Sequence, residues 1–292
     1  MIQNNHMRKF SWMIGAAVSV AMGTVCLADI TGKVTLTGKV ADADTAEITG
    51  IKANPDCAKM HKDPVFMETV VTGEKNELAN VIVSIKTPQG KELKGGKAPA
   101  AVLDQKGCVY APHVLPVMVG QPVVTKNSDP TLHNVHTLPL DNNAVNKGMP
   151  GSAAPINLGP FPTVETFKVK CDVHPWMVAW IRVLDNPFYA TTDDQKGAYK
   201  IDTTGLPDGD YELVFWHEKF GEQTKKISVK GGKAEADAVF DTTKKAEAAP
   251  AGGIKETAVA ALMTNSAQKC EDGSCCEAPT KAVALLTAAK AK

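Results

Sequence analysis

Between residues 29 and 240, apolar side chains recur at every second position in short runs, and turn-forming residues separate the runs. Ile30, Gly32, Val34 and Leu36 alternate with polar neighbours, as do Val81, Val83 and Ile85, and again Tyr211, Leu213 and Phe215. A period of two puts one face of an extended segment in a core and the other in water, so these runs predict half-buried strands. Pro88-Gln89-Gly90, Asn127-Ser128-Asp129-Pro130, Pro207-Asp208-Gly209 and Gly231-Gly232 supply the turns. No amphipathic helical window of convincing length precedes residue 243. The expected fold class is all-β, built as sandwiches with Greek-key connections.

A chain of 292 residues with 43% hydrophobic content can bury such cores. Its 32 basic residues balance 32 acidic ones, and only Arg8 and Arg182 are arginines. That leaves no basic excess or guanidinium cluster for phosphates, so nucleic acid is not an expected partner. Stable membrane insertion is not expected either. At the amino end, Arg8 and Lys9 precede an apolar stretch from Phe10 to about Val25, then Cys26-Leu27-Ala28. Charged, apolar and small residues in that order predict a secretory signal over residues 1–28, cleaved near Ala28, and hence a periplasmic or otherwise exported protein. After Phe240 the aromatics vanish. Residues 243–292, rich in Ala, Lys, Glu and Thr, are expected to form a disordered tail carrying Cys270, Cys275 and Cys276.

The export signal changes how the cysteines read. In an oxidising compartment the default is a disulfide, and a cysteine kept reduced there usually holds a metal. Cys57 and Cys108 are expected to pair with each other. The alternative groups them with His61 and His113 as a Cys2His2 metal site. Cys171 stands apart: it opens Cys171-Asp172-Val173-His174-Pro175-Trp176-Met177, 38 residues after His133 in Leu132-His133-Asn134-Val135-His136. Phe167, Val169 and Cys171 share one strand parity, which places the thiol at the buried end of that strand. Two imidazoles and a thiolate with a weak axial thioether form the donor set of a blue-copper centre. Zinc would gain little from the thioether, and four protein ligands leave no position open for a substrate.

With these residues, the chain resembles the cupredoxins, and among them the amicyanin-like carriers of methylamine utilization. The likeness extends upstream through Tyr110–Asn127 and spans roughly residues 99–185. The resemblance implies one type 1 copper held by His133, Cys171, His174 and Met177. Asn134 would bond the thiolate through its backbone amide and tie the two ligand loops through its side chain. His136, of opposite strand parity to His133, is the alternative ligand, and the family pattern favours His133. The family also implies that His174 lies nearest solvent as the electron exit, with Pro175 and Trp176 forming an apolar docking surface. His217 is expected at the surface or between domains.

Two flanking stretches resemble a carboxypeptidase-regulatory-like sandwich: Ile30–Val34 with Leu78–Ile85 on one side, and Thr192–Tyr199 with Leu206–Leu213 on the other. This implies a discontinuous accessory sandwich of residues 29–98 and 186–242, with the cupredoxin domain 99–185 inserted into it. The expected function is single-electron transfer without enzymatic activity, with a c-type cytochrome or a periplasmic dehydrogenase as redox partner. The alternative is a copper chaperone or store using the same site.

Overall fold

A computed structural model describes residues 28–94, 98–193 and 196–244; residues 1–27 of the expected signal segment and residues 245–292 of the expected tail, with its three cysteines, lie outside the described residues. The described chain is all-β. It opens with β1 (Asp29–Thr37), followed by two short helices, α1 (Thr49–Ala53) and α2 (Pro55–Ala58), and then β2 (Ile82–Lys86). Nine strands follow: β3 (Ala101–Lys106), β4 (Val109–Ala111), β5 (Val114–Met118), β6 (Val123–Asn127), β7 (His133–Leu138), β8 (Asn146–Met149), β9 (Ile156–Asn157), β10 (Glu165–Lys170) and β11 (Val178–Leu184). The last group is β12 (Tyr189–Thr191), β13 (Ala198–Asp202), β14 (Gly209–His217), β15 (Gly221–Val229), β16 (Ala234–Glu235) and β17 (Ala238–Asp241).

The middle strands form two sheets, ordered β5-β11-β10-β7-β8 and β4-β3-β6-β9. β5 runs parallel to β11 and β3 parallel to β6, so each sheet mixes parallel with antiparallel pairing. The outer strands form two more sheets. β1 pairs with β13, β16 and β17, while β2 lies between β12 and β14, with β15 beyond. Strands from before residue 87 therefore hydrogen-bond only to strands after residue 188 within these sheets.

Two buried clusters follow from the alternation. One gathers Ile30, Val34, Leu36, Val83, Ile85, Leu213 and Phe215; the other gathers Leu103, Val117, Val135, Phe167, Val169 and Ile181. On β10, Phe167 and Val169 point inward while Lys168 and Lys170 lie on the other face. Truncating Phe167 to alanine would cost about 3–5 kcal/mol in transfer and cavity terms.

A smaller cluster of Ile82, Val114, Leu184 and Trp216 joins the two sandwiches. Trp180 packs edge-on against Trp216 with centroids 5.7 Å apart. Arg182 lies over the Trp216 ring and pairs with Glu222 at 2.8 Å. Of the two places expected for His217, the surface is excluded, because the side chain is fully buried. It stacks on Phe220 at 4.8 Å, and its Nδ1 accepts the backbone amide of Lys219. An aromatic face suits this core once one ring nitrogen has a local donor.

Candidate metal centre

The loop from Cys171 to Met177 is closed by its own backbone. The Met177 amide donates to the His174 carbonyl at 2.9 Å, and the Cys171 amide donates to the Met177 carbonyl at 3.2 Å. This turn seats the ends of β10 and β11 side by side. Cys171 and Met177 are buried in the same core as Phe167 and Val169.

His133 opens β7 opposite this loop. Its Nδ1 lies 3.0 Å from Nδ1 of His174, and Cys171 Sγ lies 3.9 Å from the latter. The Cys171 sulfur accepts backbone amides from Asn134 at 3.3 Å and His174 at 3.4 Å. The Asn134 side chain ties the two loops, its Oδ1 accepting the Asp172 amide at 3.1 Å while its Nδ2 reaches Asn146. The structure thus brings His133, Cys171 and His174 together, all buried, with one donor atom from each within 4.8 Å of the others. Met177 is fully buried at the end of the same loop. His136 turns away, its Nδ1 bonded to the Asp172 carboxylate and its side chain part-exposed.

One residue that orders this site was hidden in what reads as a plain turn. Asp129 accepts Nε2–H of His133 at 2.8 Å, and the backbone amides of Gly107 and Cys108 at 2.7 and 2.8 Å. Asn127 sets that turn, accepting the Asp129 amide and donating to the carbonyls of Thr131 and Met149. Tyr110 adds a second brace, its hydroxyl 2.6 Å from the Asn134 carbonyl and 3.0 Å from the Lys170 carbonyl.

The electrostatics follow from these contacts. Burial pushes the Cys171 thiol up, but hydrogen bonds with His133 and with the amides of Asn134, His174 and Val173 outweigh it and hold the thiol below its ordinary range. Burial likewise works against His133 carrying charge, yet Asp129 and Cys171 raise it overall. His174 moves the other way, lowered by burial and by the neighbouring His133. Burial opposes the Asp129 charge, but His133 and the two amides keep the carboxylate ionised to lower pH than usual.

This donor set fits a thiophilic cation. A buried sulfur whose ionised form is favoured by its hydrogen bonds lies beside two imidazoles whose Nδ1 atoms have the spacing of about 3 Å that nitrogens adopt around one ion at about 2 Å. The Asp129–His133 contact occupies Nε2 and leaves Nδ1 as the nitrogen of that ring that faces His174.

Cys57 and Cys108 form the expected disulfide, so the Cys2His2 alternative fails. His61 Nε2 bonds the Gly107 carbonyl at 2.7 Å, and His113 is held by the Glu218 and Glu68 carboxylates. His174, expected nearest solvent, is only 2% exposed, against 0% for His133 and Met177. Asn54 Nδ2 lies 3.3 Å from its Nε2, and Cys57 Sγ lies 3.6 Å from the same atom. Trp176, expected on a docking surface, is part-buried, its indole donating to the Cys108 carbonyl at 2.9 Å. α1 passes so close that a Cβ at Gly50 would fall 2.3 Å from the Trp176 ring. Pro175 alone of the two remains exposed.

No protein-family model and no curated protein sequence matches the chain. Among solved structures it is similar to a purple cupredoxin from Nitrosopumilus maritimus, with 21% identity over 29% of this chain and 99% of that one and a TM-score of 0.25. It is also similar to a variant amicyanin in its Cu(I) form, at 23% identity over 35% of this chain and 98% of that one, with a TM-score of 0.27. A copper-containing nitrite reductase from Thermus scotoductus SA-01 matches at 19% identity over 34% of this chain and 25% of that one, also with a TM-score of 0.27. Among the described residues, no helix is long and apolar enough to cross a membrane.

Proposed function

We propose that this chain is a type 1 copper protein that carries single electrons between protein redox partners outside the cytoplasm. The observation that carries the reading is the buried sulfur of Cys171, which accepts two backbone amides beside the paired Nδ1 atoms of His133 and His174. Bound copper would supply one-electron redox chemistry. The chain's own residues hold the donors. Asp129 orients His133, Asn134 ties the two ligand loops together, and Met177, buried at the end of the same loop, would offer its thioether as a further donor. Donors fixed before the ion arrives need little reorganisation when its charge changes. With every protein donor engaged and the site buried, no position remains for a substrate, which supports a carrier rather than an enzyme. The redox partner is a c-type cytochrome or a dehydrogenase, a reading that rests on the amicyanin-like motif.

Adding one equivalent of copper(II) tests this. The carrier gives an intense thiolate-to-copper band and narrow copper hyperfine splitting, both lost in Cys171→Ser. A pale spectrum with ordinary hyperfine splitting sinks it. The covering of His174 favours a second reading, a copper store or chaperone, because a covered ligand slows exchange with partners. Transfer of the copper itself to a strong acceptor protein, rather than of electrons to a cytochrome, would select that reading.

A further inference from the structure

We infer that electrons pass through the Asp172 edge of the centre rather than through His174, and that this edge fits a one-electron redox protein with an acidic docking surface. This rests on the reading of Cys171 as a copper ligand. Residues 49–60 form a fixed cover over His174: Cys57 Sγ lies 3.6 Å from its Nε2, and the disulfide to Cys108 pins that residue in place. Trp176 is held under the same segment, beside Gly50. Of the loop from Cys171 to Met177, Asp172, Val173 and Pro175 are exposed, and Pro175 sits between the two covered residues.

Asp172 follows Cys171 in the chain, and a thiolate is the softest donor of the set, the one that shares electron density most with copper. A ring of hydrogen bonds also runs from the sulfur to the surface. Cys171 Sγ accepts the Asn134 amide at 3.3 Å, and Asn134 Nδ2 donates to Asn146 Oδ1 at 2.7 Å. Asn146 Nδ2 lies 3.2 Å from Nδ1 of His136 and 3.3 Å from the Asp172 carboxylate. His136 Nδ1 lies 3.0 Å from that carboxylate and closes the ring. The sulfur is thus joined to surface atoms by two short routes, whereas the His174 ring ends on the cover.

The surroundings of this edge have a sign. The outer faces of β5 and β11 meet the second sandwich, through Val114, Trp180 and Arg182. The outer face of the same sheet stays open over β10, β7 and β8, where Lys168 lies beside Leu138 and Lys170 beside His136. Lys170 pairs with Asp172 at 2.9 Å, while Lys168 and the exposed Lys147 of β8 have no carboxylate partner among the described residues. Three lysines around one carboxylate, with Val173 46% and Leu138 41% exposed, complement an acidic surface with an apolar centre.

The experiment uses the full chain with Cys270, Cys275 and Cys276 replaced by serine, and two anionic probes. Hexacyanochromate(III) is paramagnetic and redox-inert. Added to the metal-free protein, it should broaden the amide resonances of Lys147, Lys168, Lys170, Asp172 and Val173 and spare those of residues 52–58. Hexacyanoferrate(III) takes one electron from the copper(I) protein and becomes hexacyanoferrate(II). Lys147→Glu with Lys168→Glu should slow this at least about fivefold at an ionic strength of about 0.1 M, where charges more than about 10 Å away are screened. Lys52→Glu, on the cover, should leave the rate within about twofold. An unchanged Cys171-dependent copper band in each variant shows that the centre is intact. Broadening centred on residues 49–60 overturns the inference, as does a rate that follows Lys52→Glu or ignores the paired variant. If the protein forms no Cys171-dependent copper band, the copper reading fails and the inference falls with it. A normal band with broadening over the cover rejects the Asp172 edge alone.

Discussion

Oδ2 of Asp129 lies 2.8 Å from Nε2 of His133, with both side chains buried. A carboxylate there fixes the ring tautomer and raises the basicity of Nδ1. Asp129→Asn keeps the shape but loses the charge. Copper affinity, measured by competition with a chelator, should fall about 10- to 100-fold. Unchanged affinity would mean that His133 is positioned by β7 alone.

The Cys57–Cys108 disulfide closes a 51-residue separation. Loop-closure entropy for that length predicts a loss of about 4 kcal/mol in unfolding free energy when both are replaced by alanine. Urea denaturation with intact and doubly substituted protein measures it. A loss well under 1 kcal/mol would show that the unfolded chain is already compact across this loop.

His217 is buried against Phe220 and Phe240, its Nε2 without a partner, and burial pushes its pKa down to about 3. Its unfolded value is near 6.5, so below that pH the unfolded chain binds a proton that the folded one refuses. The resulting destabilisation begins as pH falls through about 6.5 and grows until about 3, reaching on the order of a few kcal/mol. His217→Leu should flatten this part of the metal-free stability profile. A variant whose profile overlays the original would assign the acid sensitivity elsewhere.

Tyr110 braces the carbonyls of Asn134 and Lys170, the residues flanking the two ligand loops. Tyr110→Phe should lower stability by about 1–2 kcal/mol, seen as a lower urea midpoint at unchanged slope. It should also weaken copper retention, because both loops lose a common anchor.

What could be read from the sequence tracks how local each signal is. The alternation in β10 and the seven-residue loop from Cys171 to Met177 are local, so strand, thiol burial and the gathering of Cys, His and Met were legible. Asp129 was visible only as part of a turn, because the same Asn-x-Asp-Pro chemistry serves turns and ligand support alike. The contact of Asn54 with His174 spans 120 residues and rests on two helices of five and four residues, too short to leave a periodic trace. The cover was therefore invisible, and His174 was expected near solvent. The surface alternative for His217 failed for a different reason. Histidine at the end of a strand usually faces water, and only the aromatic rings of Phe220 and Phe240 make its burial tolerable.

His133 on β7 and the loop that bears Cys171, His174 and Met177 between β10 and β11 all lie between β3 and β11, whereas Asn54 and Cys57 are encoded between β1 and β2. A gene fragment spanning only the middle strands would inherit every candidate ligand and leave the guard behind. Recombination could thus convert a sheltered centre into an open one by omission alone. Descendants of the same copper loop could differ in which partners reach it without a single change to the loop itself.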